Sequence, residues 1–273
     1  MAVPRHVIIS GAGSGLGHGL ATRMLARGSR VSVLDLDATP ERRAGLDAAA
    51  EHGATRWQFA RADVTDAAGL AAAVNTAVAA SGPPDLALHC AGVGLSRAFA
   101  DMDGGDFRRV IEINLFGTFH FAAAMRPHLH PGARLALTAS VAGLVGNYGY
   151  AAYGASKFGV VGLAHVLRAE LEPAGIDVSL ICPPEVKTPL VTAERQGGDP
   201  VGLELKQLAG SLDADDACRR ILAGLDAGHW MIIPGIRAKA TVWLATRMPG
   251  LFHRVSTRVL HRVMRKHGRD VLV

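Results

Sequence analysis

The sequence predicts an α/β fold built on one doubly wound parallel sheet of about seven strands. Three observations predict it. Short β-branched or apolar runs alternate along the chain with longer alanine-rich stretches of helical character, and those stretches are long enough to form crossover helices. The composition, with 32 glycines and only 5% aromatic residues, suits close helix-on-strand packing and tight turns better than an all-β sandwich. At 273 residues and 49% hydrophobic, the chain can bury a sizeable core.

HVIIS opens the series and is followed by a helix to about Arg27; VSVLD is followed by a helix near residues 40–52. TRWQFA, DLALHC and RLALTAS come next, each separated by a helical segment, and DVSLIC and WMIIP complete the sheet. Parallel neighbours joined this way require right-handed crossovers. There is no fixed-period repeat, and the only low-complexity bias is alanine in helices such as DAAGLAAAVNTAVAASG. Nothing reads as a linker. Residues 1–235 therefore form one domain, with residues 236–273 as a basic, amphipathic, helical C-terminal extension of it.

The first turn is glycine-rich. SGAGSGLG follows the first strand, with Gly11, Gly15 and Gly17 opening a helix and Gly13 and Ser14 between them. Glycines let backbone N–H groups approach a pyrophosphate, and a helix N-terminus favours the negative charge. The spacing is Gly-xxx-Gly-x-Gly, not GxGxxG; what gives it weight is its place between a strand and a helix at the start of the chain. Asp35 ends the second strand, where a carboxylate accepts hydrogen bonds from a ribose diol and repels a 2′-phosphate. No Arg or Lys stands in the glycine loop or at Leu36 to neutralise such a phosphate, so NAD is expected over NADP.

All three tyrosines, Tyr148, Tyr150 and Tyr153, fall within ASVAGLVGNYGYAAYGASKFG. Tyr153 and Lys157 are four apart at the start of a helix and so project from one face. A free phenol is a poor base at neutral pH. An ammonium ~4 Å away would favour the phenolate by at most about 4 kcal/mol at an effective dielectric of ~20. Ser140, at the end of a strand, supplies a hydroxyl for the same substrate oxygen. Tyr148 and Tyr150 have no such lysine and read as pocket lining or packing.

At these residues the chain resembles the short-chain dehydrogenase/reductase family, through at least residue 234, and the resemblance implies a Rossmann-type fold. The family's glycine motif matches Ser10 to Gly17, including Leu16, with Ser where Thr is more usual. Its adenine-contacting acid matches Asp63-Val64, its structural Asn matches Asn114, and its Ser and Tyr-xxx-Lys set matches Ser140, Tyr153 and Lys157. The resemblance implies that Tyr153 is the acid or base on the substrate oxygen, that Lys157 also binds the nicotinamide ribose, and that Asn114 holds a water in a proton relay. Hydride would pass directly between nicotinamide and substrate carbon, without a metal. The residues then expected at the cofactor are Gly11, Gly13, Ser14, Gly15, Leu16, Gly17, Asp35, Leu36, Asp63, Val64, Cys90, Ala91, Gly92, Tyr153, Lys157, Pro183, Val186 and Thr188.

Two stretches depart from the family pattern. Its Asn-Ala-Gly reads Cys90-Ala91-Gly92 here, which predicts weakened local support with the chemistry intact. Its Pro-Gly before a valine reads Pro183-Pro184-Glu185-Val186-Lys187-Thr188; Thr188 can still meet the nicotinamide carboxamide, on a loop stiffened by Pro184. Phe116, Phe119 and Phe121 are expected in a core or helix interface, and the resemblance implies a homodimer or homotetramer built on that helix and the one bearing Tyr153.

Other features narrow the setting. Three cysteines, Cys90, Cys182 and Cys218, without CxxC pairing, argue for a reducing, cytoplasmic compartment and against a disulfide framework or zinc site. The twelve histidines are scattered, and His128 and His130 have no third ligand signalled. There is no signal-peptide-like N-terminus and no 18-residue apolar run. Residues 237–273 hold nine Lys or Arg against one Asp, which more than accounts for the net charge of +5. On a helical projection Phe252, Val255, Val259 and Val263 share one face, and Arg254, Arg258, Arg262, Arg265 and Arg269 lie roughly opposite. That face either packs on the body or a second subunit, or lies on an anionic membrane surface; no nucleic-acid motif accompanies it.

Val93 to Leu95, and Val141, Ala142, Leu144 and Val145, present few charges to a substrate, and TPLVTAERQGGDPVGLELKQLAG reads as a lid. The expected function is that of an NAD(H)-dependent oxidoreductase interconverting an apolar secondary alcohol and ketone of steroid, retinoid or long-chain type. One alternative is an NADPH-dependent reductase of 3-oxoacyl or polyketide-like ketones. The other, of a different class, is a non-catalytic nucleotide-sensing protein.

Overall fold

The computed structural model describes residues 3–208 and 210–269, so the extreme C-terminal residues 270–273 of the predicted extension lie outside it. Seven parallel strands form the central sheet, in the order β3-β2-β1-β4-β5-β6-β9. They are β1 (His6–Ser10), β2 (Arg30–Asp35), β3 (Trp57–Arg61), β4 (Leu86–His89), β5 (Arg134–Thr138), β6 (Asp177–Ile181) and β9 (Met231–Ile232). Each of the seven predicted runs supplies one of them.

The strands read as near-continuous apolar runs because both faces of the sheet are covered. On β1, Ile8 packs on one face with Leu70, Val74, Phe121 and Val160. Val7 and Ile9 pack on the other with Leu20, Met24, Leu25 and Ile221. These residues come from α3 (Ala67–Ser81), α5 (Gly117–Met125) and α6 (Ala151–Leu171) on the first face, and from α1 (Gly15–Ala26) and α9 (Ala214–Asp226) on the second. Each fully buried Ile or Leu contributes about 1.5–3 kcal/mol.

The chain runs outward from β1 through β2 to β3, then returns so that β4 lies on the other side of β1. A crevice therefore opens at the carboxyl ends of β1 and β4, where doubly wound sheets bind ligands. At that edge Ser10 and His89 stand side by side, with Ser10 Oγ 2.6 Å from His89 Nδ1.

Two features were absent from the sequence reading. After α4 (Gly104–Ile111), residues Glu112–Phe116 form a π-helical turn that carries Asn114. Downstream, β7 (Glu185–Lys187) and β8 (Ser211–Asp213) form a second, parallel two-stranded sheet, which gives the Pro183-Pro184 segment its path. Between them lie α7 (Pro189–Arg195) and α8 (Pro200–Leu208), in the segment expected to be a lid. Phe116 and Phe119 are exposed, and only Phe121 of the three is in the core.

The C-terminal extension is a pair of helices, α10 (Ile236–Arg247) and α11 (Pro249–Lys266). The apolar stripe of α11 packs on the body: Val263 and Met264 are buried against Val201 of α8, with Val259, Leu260, Tyr148 and Leu205 around them. Its last turn is anchored by charge, Lys266 and His267 reaching Glu204 and Arg269 reaching Asp199 at 2.7 Å. Arg254, Arg258, Arg262 and Arg265 stay exposed. No helix among the described residues is long and apolar enough to cross a membrane.

Candidate active site

The crevice is a groove of about 390 Å³. It runs from Asp35 and Leu36 past the glycine turn, with Asp63 and Val64 on its flank, to Tyr153, Lys157, Pro183, Val186 and Thr188. Ser14 to Gly17, Cys90, Ala91 and Gly92 also line it, as does Ser140. Gly13 and Asn114 stand behind the wall instead.

The turn can be made only of glycine at its tightest points. Gly11 has φ +71°, and a Cβ there would come within 2.3 Å of the Ala91 nitrogen. A Cβ on Gly17 would sit 2.2 Å from the Gly11 carbonyl oxygen. The backbone thus closes onto the β4 loop while leaving the groove side bare, as close approach to a pyrophosphate demands.

Asp35 is tied into this turn. Its Oδ2 accepts from the Gly13 N–H at 2.7 Å and its Oδ1 from the Leu36 N–H at 2.7 Å, so the carboxylate is oriented by backbone donors. Arg42, in the helix Pro40–His52 (α2), donates to the Gly13 carbonyl at 2.8 Å. The sequence reading found no cation in the glycine loop or at Leu36; tertiary packing brings one to the same corner. Asp63 turns its Oδ1 to the N–H and hydroxyl of Thr65, at 2.8 and 2.7 Å.

At the other end, the N-terminal turns of α6 present Tyr153 and Lys157 beside Ser140, which follows β5. Lys157 is buried and its Nζ donates to the Thr138 carbonyl at 3.0 Å, 5.8 Å from the Tyr153 ring centroid. Burial pushes the Tyr153 phenol up to about 12, with the Ser140 hydroxyl opposing the shift and Glu194 adding to it. Burial also pulls Lys157 down to about 8. Desolvation thus dominates the phenol, and the expected lowering by its lysine is not among the influences on it. The Ser140 hydroxyl donates to the Pro183 carbonyl at 3.3 Å and accepts from the Ala142 N–H at 3.1 Å, which fixes its direction.

Asn114 is fully engaged. Its Oδ1 accepts from the Val93 N–H at 2.8 Å, and its Nδ2 donates to the Val93 carbonyl and to Ser156 Oγ, each at 3.0 Å. It clamps the loop after β4 to α6 from a fully buried position. Cys90 lies on the groove wall with its thiol pushed up to about 12 by burial, a packing residue and no nucleophile. Neighbouring His89, which the sequence reading passed over, is fully buried and held down at about 3 by desolvation and Lys157, so it stays neutral.

A second, largely apolar chamber of about 530 Å³ shares Ser140, Tyr153, Pro184, Glu185 and Lys206 with the groove. Val141, Ala142 and Val145 line it, as expected, with Tyr148 and Tyr150. Its far wall comes from the C-terminal helices: Leu244, Phe252, Val255, Val259 and Leu260. Of the segments expected to be charge-poor, Val93 lines the groove and Val141, Ala142 and Val145 the chamber, while Leu144 packs against the core; charge comes from Glu185 and from Lys206 of the lid. Among the described residues no three His, Cys, Asp or Glu side chains are grouped so as to hold a metal ion.

Comparison with known proteins agrees with this arrangement. The sequence profile of the short chain dehydrogenase family matches residues 5–198. The human 3-hydroxyacyl-CoA dehydrogenase type-2 is 34% identical over 200 residues, covering 68% of this chain and 75% of that protein. The Arabidopsis thaliana 3-dehydrosphinganine reductase TSC10A is 33% identical over 233 residues, covering 84% and 70%. A short chain dehydrogenase from Mycobacterium paratuberculosis, solved bound to NAD, superposes with a TM-score of 0.76 at 26% identity, covering 86% of this chain and 98% of that one. With its sheet order, its glycine turn and a matching profile over most of its length, the chain belongs to the short-chain dehydrogenase family of oxidoreductases.

Proposed function

We propose that the protein is an NAD(H)-dependent oxidoreductase that interconverts an apolar secondary alcohol and ketone of steroid, retinoid or long-chain type. One observation carries the reading: Ser140 and Tyr153 stand where the glycine-lined groove meets the apolar chamber. The groove fits a dinucleotide, with an oriented carboxylate at one end, bare backbone in the middle and the Tyr153–Lys157 pair at the other. The bound nicotinamide supplies or accepts the hydride. Tyr153 gives its proton to the ketone oxygen, or takes it from the alcohol, while the hydroxyl of Ser140, turning its proton from the Pro183 carbonyl, holds that oxygen. Lys157 favours the phenolate electrostatically and reaches toward the cofactor ribose. Asn114 acts as a positioning residue through Val93 and Ser156.

The names of the two relatives, a hydroxyacyl-CoA dehydrogenase and a dehydrosphinganine reductase, support a chain-bearing substrate. The NAD-bound neighbour supports NAD. A second cofactor reading rests on Arg42, whose guanidinium, held on the Gly13 carbonyl at the Asp35 end of the groove, is the group a 2′-phosphate would seek. The exposed Phe116, Phe119 and Phe158 on α6 and the preceding helical segment support a homodimer or homotetramer. The exposed basic and apolar surface of α10 and α11 supports contact with a membrane surface.

The test is titration with NADH and NADPH, followed by nicotinamide absorbance on a panel of apolar secondary alcohols and ketones. We expect tighter NADH binding and turnover, and a Tyr153→Phe variant that binds NADH as before with kcat/KM about 10²–10⁴ lower. Tighter NADPH binding, abolished by Arg42→Ala, would establish the second cofactor reading. NADH binding without turnover on the whole panel would point to a nucleotide sensor.

A further inference from the structure

One charged side chain is open at the neck between groove and chamber. Lys206 of α8, 18% exposed along its side chain, places Nζ 2.5 Å from Glu194 Oε2 and 4.0 Å from Glu185 Oε2. It also lies 5.3 Å from the Tyr150 ring centroid. The two carboxylates are behind it, with side chains 1% and 0% exposed. Arg195 takes the other oxygen of Glu185 at 2.8 Å from the solvent side.

Burying two carboxylates is costly, and breaking such a pair costs more than never having built it. A chamber meant only for hydrocarbon would be cheaper with an apolar wall. What this cluster achieves is a fixed ammonium. Lys206 has three donors; one is spent on Glu194, and Glu185 is beyond hydrogen-bond reach. The remaining donors sit at the neck that Lys206 shares with Ser140 and Tyr153. With two carboxylates close behind, a neutral acceptor suits the ammonium better than a third carboxylate would.

We propose that Lys206 is a specificity-determining residue that takes a neutral carbonyl acceptor, such as an ester or thioester carbonyl, borne within a few bonds of the reacting carbon. The substrate's apolar chain lies in the chamber, between Val141 and Val145 on one side and Phe252, Val255 and Val259 on the other. This rests on the alcohol–ketone reading above and narrows its substrate to an amphiphile with an acceptor beside the reacting group. It also gives the C-terminal helices a role in selecting chain length.

The experiment compares methyl ketones with 3-oxo methyl esters of matched chain length, using full-length protein with NADH and with NADPH. We expect kcat/KM to favour the esters by at least about tenfold, a lower bound well within what a site built to hydrogen-bond its substrate can discriminate. In Lys206→Met/Glu194→Gln, which removes the ammonium together with its partner charge, that ratio should fall to the part that the ester's own activation of the ketone supplies. Lys206→Arg, which keeps the charge, should retain part of it. Val255→Trp should shorten the chain length of maximum kcat/KM. Equal kcat/KM on the two series in the parent protein, or an equal loss on both in the double variant, would overturn the Lys206 assignment and leave the alcohol–ketone reading standing. Turnover on neither series, with either cofactor, would overturn both.

Discussion

Tyr153 and Lys157 are displaced in opposite directions by the same cause, and the pH dependence of the reaction follows from that. Burial raises the phenol to about 12 and lowers the ammonium to about 8, so the first proton lost by the pair leaves near pH 8. That singly deprotonated pair divides in fixed ratio between neutral lysine with phenol and ammonium with phenolate, and only the second form accepts a proton from an alcohol. For alcohol oxidation, log kcat/KM should therefore rise with unit slope to about pH 8 and level off. Ketone reduction needs the fully protonated pair, so it should be flat below that pH and fall above it. Stopped assays across pH 6 to 10 in both directions check this. An oxidation limb that climbs unbroken to pH 10 would show that Lys157 does not titrate as its burial requires.

Asp199 joins two elements with one carboxylate. Its Oδ1 accepts from the N–H groups of Val201 and Gly202, at 2.9 and 3.1 Å, and so caps the start of α8. Its Oδ2 meets Arg269, just beyond the end of α11, at 2.7 Å, while its side chain is almost fully buried. Removing the cap in Asp199→Ala should cost about 1–2 kcal/mol, a fall in Tm of roughly 2–8 °C for a domain of this size, with faster proteolysis in the 196–210 segment. Asp199→Asn, which keeps the cap and weakens the ion pair, should fall between. An unchanged Tm in the alanine variant would mean that α8 is held by Val201, Val263 and Met264 alone. It is also at this scale that the limits of the sequence show. Most of the seven strands were legible because the sheet is covered on both faces and its inner strands must be largely apolar. The groove was legible because the glycine turn, Asp35, Ser140 and the Tyr153–Lys157 pair are each local patterns. The short strands β7 and β8 are EVK and SLD, too polar and too brief to carry a period, and exist only because they pair with each other. Lys206 and Arg42 were illegible for a related reason: Lys206 acquires its meaning only when α8 folds back on Glu194, and Arg42 only when α2 packs against Gly13.

Across the whole molecule, charge and apolar exposure are concentrated in the same place. From Ile236 to Arg269 there is no acidic residue, against nine Lys or Arg. The same two helices and the residue between them expose Ile236 (83%), Trp243 (58%), Met248, Leu251 and Val255. Part of the basic set is already spent, since Lys266, His267 and Arg269 bind Glu204 and Asp199, and the apolar stripe that ends in Val263 and Met264 is covered by α8. What remains is α10 with the first half of α11, where Lys239 and Arg247 flank an exposed Trp243 along the helix, and Val255 lies both on this surface and in the chamber wall. An anionic lipid surface matches that combination, because apolar side chains enter the headgroup boundary while Lys and Arg meet the lipid charge. It would also place the chamber beside a reservoir of lipophilic substrate. We expect the full-length protein to co-sediment with vesicles containing anionic lipid and not with neutral ones, with binding weakened by raised salt because exposed charges are screened over ~10 Å at 0.1 M. Trp243→Ser with Ile236→Ser, at two well-exposed positions whose loss leaves the packing of α11 on α8 in place, should reduce that partitioning several-fold. Equal partitioning of parent and variant, or equal binding to neutral and anionic vesicles, would end the membrane reading and leave the exposed surface as a candidate contact for another subunit.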